Sequence, residues 1–263
     1  MEGEPKQEPN EVPFVGDLVN SVVSELETHK KSSKLSEIED NPNKIIRTES
    51  FYGLNKRFKD KIEIIELVRI AKKLYGELEA KYDIPVPADF LIGKDKKGEE
   101  VVYSVVDKID GKNLNDVESS DEVVTQVQDL YASIARYFLN KSKEEGSYLV
   151  DINGPSQYVY GKKPGEQTNK IYLIDTDFYI LNSDAGIYLV VEWLTRHMAG
   201  VETHFNIKLE KARKNIEKLV DQPLSENISD SEKEKVNKSI VGIRKFLNEE
   251  SLDSLSGPAI PPF

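Results

Sequence analysis

The stretch from Tyr148 to Tyr179, YLVDINGPSQYVYGKKPGEQTNKIYLIDTDFY, constrains the fold of this chain more than any other segment. The runs YLVD, QYVY and KIYLID have the β-branched and aromatic composition of strands, and GKKPGEQTN between the second and third is a turn. A strand that ends at Asp175 delivers its carboxylate to the edge of a sheet, and Asp151 follows the first run in the same way. The sequence therefore predicts two carboxylates at one cleft mouth, where they can hold a magnesium–phosphate group and accept a proton from a hydroxyl.

Each of these aspartates also has a simpler explanation. Aspartate is common at strand ends and turns because its side chain hydrogen-bonds to the nearby backbone. Asp151 taken alone is explained well in this way, whereas the ordered pair of Asp151 and Asp175 favours a ligand site. The residues themselves leave both interpretations open.

The residues before this stretch predict a strand-rich region with one long helix. KLSEIED and KIIRTES flank the turn sequence NPN and predict a hairpin. Apolar residues at three- and four-residue steps predict a helix between Lys59 and Tyr82, and the prolines of DIPVP end it. DFLIG and EEVVYSVVD, on either side of a charged turn that contains glycine, predict a second hairpin. The resulting order is strand, strand, helix, strand, strand.

The rest of the chain predicts helices on either side of the opening stretch. Helical spacing begins at Asp121 and ends near Gly146, a natural helix-stop residue. Three more helical segments are predicted at about 185–200, 209–220 and 231–248. The last begins with SDSE, a capping box in which Ser229 and Glu232 satisfy each other's backbone groups.

These elements predict an α+β fold with two lobes. The predicted divisions are a flexible tail at 1–20, a strand-rich lobe at 21–109, a helical lobe at 110–250 that contains the hairpin 148–179, and a second tail at 251–263.

Composition excludes several classes of function. The chain has 36 Lys and Arg against 47 Asp and Glu, a net charge of −11 that argues against a nucleic-acid partner. It has no cysteine, which removes disulfides, thiolate metal sites and cysteine nucleophiles, and which fits a reducing compartment. The three histidines, His29, His197 and His204, do not form a metal pattern because a third ligand is missing.

The two termini and the apolar runs predict a cytoplasmic protein. The first dozen residues, MEGEPKQEPNEV, are acidic and contain proline, unlike a secretory signal. The apolar runs are far shorter than the about 20 residues that a membrane span requires.

The order of elements and the residues together resemble the protein-kinase-like superfamily, especially the aminoglycoside and choline phosphotransferases, over about residues 34–179. NKIIRTE looks like the strand that carries the phosphate-binding lysine, and YSVVDKIDGKNL looks like the strand, hinge and continuation that follow the helix. DINGPSQYVY resembles the catalytic loop, and IYLIDTDFY resembles the strand that ends on the metal-binding aspartate. The resemblance implies a two-lobed protein-kinase-like fold, ATP and Mg²⁺ as cofactors, and phosphoryl transfer to a hydroxyl of a small molecule or protein.

The resemblance also implies roles for residues in the opening stretch. Asp151 would orient the hydroxyl or act as general base, and Asp175 would bind magnesium, with Asp177 as the alternative because DFY resembles Asp-Phe-Gly. Gln157 falls near the family's metal-binding asparagine, with Ser156 as a neighbouring candidate because the loop is about one residue longer than usual.

Arg47 stands where the resemblance places the lysine that binds the nucleotide phosphates. Its acidic partner would lie in the first turns of the following helix, where both Glu66 and Glu63 are candidates and Glu66 is slightly favoured.

Departures from the family pattern support a second interpretation. The rigid guanidinium fork of Arg47 does not place charge as an ammonium does, and HKKSSK replaces a glycine-rich loop. Gln157 is a poorer metal ligand than a compact asparagine. The leading hypothesis is therefore a phosphotransferase, and the alternative is a pseudokinase or scaffold that binds a partner, with or without nucleotide. A helical interaction protein without a nucleotide site is the third hypothesis.

Overall fold

A computed structural model of the chain describes residues 14–15, 22–26, 33–38, 41–50, 64–94, 100–176 and 178–249. The predicted tail 251–263 lies outside these residues, as does most of the predicted tail 1–20. Phe14–Val15 nevertheless forms a short strand that pairs in parallel with residues 92–93, so part of the first predicted tail joins the sheet.

The N-terminal lobe is a sheet with one long helix. Its elements are β1 (Phe14–Val15), β2 (Val22–Leu26), β3 (Ser33–Ile38), β4 (Asn41–Ser50), α1 (Ile64–Tyr82), β5 (Ala88–Lys94) and β6 (Glu100–Asp107). In the described residues the strand order is β1-β5-β6-β4-β3-β2, and every pair except β1 with β5 is antiparallel. From β3 to β6 this is the predicted order of strand, strand, helix, strand, strand, and the strands β1 and β2 before it were not predicted.

One detail of this lobe differs from the predictions, and one agrees with them. NPN begins strand β4 instead of forming the turn, because the pairing shifts between Glu37 and Ile38 and sets Ile38 opposite Asn41. Helix α1 ends at Tyr82 as predicted, and Asp83 turns the chain with a left-handed φ of 55° before the prolines.

The C-terminal lobe is mainly helical. Its elements are β7 (Asp110–Asn113), α2 (Asp121–Lys141), β8 (Tyr148–Leu149), β9 (Tyr158–Lys162), β10 (Lys170–Leu173), β11 (Ile180–Leu181), α3 (Asp184–Phe205), α4 (Glu210–Val220) and α5 (Asp230–Asn248). Helix α2 stops at Lys141, ahead of the predicted end near Gly146, and the capping box of Ser229 and Glu232 begins α5 as predicted. Strand β9 lies between β7 and β10, and β8 pairs with β11.

One buried apolar cluster runs through both lobes. It contains the buried face of α1, residues of β5 and β6, and the inner faces of the C-terminal helices. Phe90 links the lobes directly, because its ring centroid lies 5.3 Å from Tyr75 on α1 and 5.3 Å from Phe178 in the C-terminal lobe. The two lobes therefore share a core, which fixes the polar groups at their junction.

The chain thus has the predicted α+β fold, with a small strand-rich lobe and a larger helical lobe. None of the helices in the described part of the chain combines the length and apolar composition that crossing a bilayer requires.

Candidate active site at the junction of the lobes

Strands β4 and β6 direct two neighbouring side chains at the segment that follows β10. Arg47 and Ser104 are paired across these strands, and both are buried. Arg47 Nη1 lies 2.6 Å from Asp175 Oδ1, and Ser104 Oγ lies 3.1 Å from Thr176 Oγ1. The sheet of one lobe therefore holds two consecutive residues of the other.

Asp175 is held by its backbone as well as by its side chain. Strand β10 ends at Leu173, two positions short of the predicted end at Asp175. The N–H groups of Ile174 and Asp175 both donate to the carbonyl oxygen of Gln157, at 2.9 and 3.3 Å. This bifurcated contact replaces ladder pairing and ties Asp175 to the loop that follows Asp151.

Gln157 connects this loop to Asp151 through its side chain. The residue is buried at the end of a one-turn 3-10 helix, Pro155–Gln157. Its amide nitrogen donates to Asp151 Oδ1, and its amide oxygen accepts the N–H of Gly154 at 2.9 Å. Both ends of the amide are thus engaged inside the loop, which holds the Asp151 carboxylate in place.

Two buried tyrosines hold the backbone of the same loop. The Tyr158 hydroxyl donates to the carbonyl oxygen of Ile152 at 2.7 Å, and the Tyr131 hydroxyl donates to that of Asn153 at 3.3 Å. Burial raises the pKa of both tyrosines well above its ordinary value, so both remain protonated donors. A loop tied at successive carbonyls is preorganised, as a site needs.

The structure brings four of the five predicted site residues into one cluster. Arg47 contacts Asp175, the Asp175 backbone contacts Gln157, and Gln157 contacts Asp151. Ser156, the alternative to Gln157, is exposed, and its carbonyl oxygen accepts from the Asn113 side chain.

Glu66 lies apart from this cluster. It is exposed on the first turn of α1 and pairs with Arg69 one turn along the same helix. The prediction that Glu66 partners Arg47 is therefore not what the structure shows, because the buried guanidinium turns toward Asp175. The alternatives Glu63 and Asp177 lie outside the described residues.

His197 on α3 is a neighbour of the loop that the sequence did not identify. A Cβ built on Gly154 would lie 3.4 Å from its Cε1. Burial lowers the pKa of His197 below its ordinary value, which favours a neutral ring against the loop. The sequence gives only a weak indication of this contact, because the helical repeat of α3 is the one pattern that indicates which side of the helix faces the loop.

The oxygen donors of the cluster fit a magnesium-bound phosphate group. Mg²⁺ prefers one or two carboxylates together with water and phosphate oxygens, and the Asp175 and Asp151 carboxylates are groups of this kind. A cation already lies against Asp175, in the form of the Arg47 guanidinium. Among the described residues, no group of three or more acidic or histidine side chains is gathered as a complete metal site.

The fold and this cluster define a two-lobed α+β protein with an acidic and basic polar site where the lobes meet. No family model matches the sequence, and no curated protein is significantly similar to it. Solved structures similar to it include that of WbdD at 2.2 Å, with 12% identity and a TM-score of 0.33 over 84% of this chain and 50% of WbdD. This chain thus spans about half the length of that one.

The MAP kinase LmaMPK10 from Leishmania major is a second similar structure, with 13% identity and a TM-score of 0.40 over 89% of this chain and 80% of the kinase. Likenesses of this size assign neither an activity nor a substrate to the chain.

Proposed function

We propose that this chain is an ATP- and magnesium-dependent phosphotransferase of the kinase-like type, acting on a hydroxyl of a small molecule or protein. The observation that carries the proposal is the continuous set of contacts from Arg47 through Asp175 and Gln157 to Asp151. It links a cation suited to phosphate, an acid suited to a metal and a second acid suited to a hydroxyl.

Each residue has a distinct part in this proposal. Asp175 would hold the magnesium ion, which when bound neutralises charge on the transferring phosphate. Asp151 would accept a hydrogen bond from the acceptor hydroxyl and orient it. Gln157 is a positioning residue for Asp151, since both ends of its amide are engaged within the loop.

Arg47 would contact the phosphates of the bound nucleotide. It is buried and lies 2.6 Å from Asp175, so a phosphate beside Asp175 would be within reach of its fork. Binding of Mg-ATP would therefore exchange one partner of Arg47 for another.

The first test is the melting temperature of the purified chain with and without millimolar Mg-ATP. Ligand at 100 times its dissociation constant adds about 2.7 kcal/mol to the stability of the native state, which gives a measurable shift. We expect this shift in the wild type, its loss in Asp175→Asn, and its retention in the control Asp116→Asn. Asp116 is an exposed carboxylate in the turn before α2.

The second test is phosphate release or transfer from ATP across a panel of hydroxyl compounds. Asp151→Asn should bind Mg-ATP as the wild type does and lose turnover, because the substitution removes the proton acceptor. Undiminished turnover in Asp151→Asn would contradict the proposed role of Asp151.

A pseudokinase or scaffold is the second candidate, and the ion pair itself favours it. Asp175 already has its charge balanced by a buried guanidinium, and both ends of the Gln157 amide are engaged within its loop. Nucleotide binding without turnover across the panel would support this candidate, and robust turnover would exclude it.

A further inference from the structure

A cavity of about 690 Å³ lies where α2, α4 and β10 of the helical lobe meet the segment that follows α1. Its walls include none of the four clustered residues of the candidate active site. Its size falls within the range of about 300–1,000 Å³ that is typical of small-molecule sites.

The walls of the cavity are rich in cations. Its charged lining consists of Arg136, Lys170, Lys211, Lys214 and Lys218 together with Asp83 and Asp129. The chain as a whole carries a net charge of −11, whereas the charged side chains that line this cavity are mostly positive. Cations that converge on a concave surface raise the local concentration of anions.

Three of the lysines occupy one face of α4. Lys211, Lys214 and Lys218 follow one another at helical spacing, and the opposite face, with Ile216 and Leu219, is buried in the core. The core packing of α4 therefore fixes which way the lysines face, and it directs them at the cavity.

Some of these cations are neutralised and others are not. Lys211 pairs with Asp129 at 3.2 Å, and Lys170 lies 3.5 Å from Glu166. Neither Lys214 nor Lys218 has a side-chain hydrogen bond or an ion pair within the described residues. Two cations at the cavity therefore remain available for a ligand.

Arg136 is held in place on the wall formed by α2. Its Nη2 donates to the carbonyl oxygen of Lys81 at 3.3 Å, and its guanidinium lies 5.4 Å from the centroid of the Tyr82 ring. A guanidinium fixed in this way keeps its other N–H groups oriented, which suits the planar recognition of phosphate or carboxylate. Leu130 and Ile171 add an apolar part to the lining.

We propose that this cavity binds a small organic polyanion, a compound with several phosphate or carboxylate groups attached to a compact apolar body. Its anionic groups would meet Arg136, Lys214 and Lys218, and its body would cover Leu130 and Ile171. The alternative, that these lysines form only a solvated helix face, does not explain why cations from three separate elements line the same concavity.

The test uses inorganic tripolyphosphate, without added metal, titrated into the full chain by calorimetry at about 150 mM salt, where isolated surface charges are largely screened. We expect one site in the wild type and weakening of about tenfold or more in Lys214→Gln/Lys218→Gln, equivalent to about 1.4 kcal/mol. The control Lys233→Gln/Lys238→Gln removes the same charge from α5, where both lysines are exposed and pair within the helix. It should bind as the wild type does.

Asp175→Asn separates this site from the proposed nucleotide site. It should leave tripolyphosphate binding unchanged, whatever its effect on Mg-ATP. Absence of binding in the wild type, equal weakening in the two lysine pairs, or loss of binding in Asp175→Asn would each overturn the proposal.

Discussion

Gln157 holds the loop that contains Asp151 at two points. Its amide oxygen satisfies the buried N–H of Gly154, and its amide nitrogen satisfies Asp151. Gln157→Ala leaves that buried N–H without its acceptor, which typically costs about 1–3 kcal/mol. We expect a loss of this size in the free energy of unfolding, measured by urea denaturation.

Gln222→Ala is the matched control for this prediction. Its amide nitrogen donates to the carbonyl oxygen of Lys218 at the surface, and its amide oxygen accepts a long bond of 3.4 Å from the Ser142 hydroxyl. Neither contact satisfies a buried backbone group, so we expect a change within about 0.5 kcal/mol. Equal losses in the two variants would contradict the positioning role of Gln157.

His197 predicts how stability depends on pH. Burial keeps its pKa below 6.5 in the folded chain, so near that pH the unfolded chain binds more protons. Stability then rises with pH in this range, and the contribution of His197 is present above about pH 6.5 and is lost as the pH falls toward the folded-state pKa.

The measurement is the free energy of unfolding at pH 7.5 and pH 5.5 in the wild type and in His197→Gln. We expect the variant to lose less stability than the wild type over this interval. Identical losses would show that His197 is not kept neutral by its burial against the loop.

At the residue scale, the sequence predicted the cluster in part. The ends of the predicted strands brought Asp151 and Asp175 to one edge, whereas only the resemblance to the kinase-like superfamily placed Arg47 and Gln157 beside them. It did not show that Gln157 turns both ends of its amide into the loop. Side-chain direction depends on packing from distant segments, which no local pattern records.

At the scale of elements, the buried pair of Glu202 and Arg213 joins the last three helices. Both carboxylate oxygens of Glu202 accept from Arg213, at 2.8 and 2.6 Å, and Arg213 also donates to the carbonyl oxygen of Phe246 on α5 at 2.8 Å. Glu202 in addition accepts the N–H of Leu209, just before α4. The pair therefore links α3, α4 and α5.

Removal of one partner should be costly because it leaves a buried charge uncompensated. We expect Arg213→Met to lose about 3–5 kcal/mol of unfolding free energy, measured by chemical denaturation. Arg213→Met/Glu202→Gln removes that charge and should recover part of the loss. Arg244→Met, which breaks an exposed pair with Asp221, should cost less than about 1 kcal/mol.

The sequence predicted helices better than strand ends. Helix α1 ends at Tyr82 and α5 begins with the capping box of Ser229 and Glu232, as predicted, whereas α2 has the predicted apolar repeat but stops ahead of Gly146. Strand β10 stops at Leu173 because the next two N–H groups find the carbonyl oxygen of Gln157 instead of a neighbouring strand. The pairing of β8 with β11 involves two-residue strands, which are too short to carry a pattern.

At the scale of the whole molecule, the shared core predicts a single unfolding transition. The apolar cluster extends from α1 to α5 without a break between the lobes. Domains with one core generally unfold cooperatively. We expect the urea transition followed by far-ultraviolet circular dichroism, which reports both lobes, to coincide with that of Trp193 fluorescence, which reports α3. Separate midpoints would show that the lobes unfold independently.

The ion pair between Arg47 and Asp175 has a thermodynamic consequence for ligand choice. Free Mg²⁺ would have to displace a guanidinium that lies 2.6 Å from the Asp175 carboxylate. The displaced Arg47 would then be buried without an anionic partner from the ligand. Mg-ATP brings phosphates that can take Arg47 as their own partner. Under the proposed function, metal and nucleotide would therefore bind with positive cooperativity, each raising the affinity for the other by the same factor. The Arg47–Asp175 pair would in this way give the site a higher affinity for Mg-ATP than for free Mg²⁺.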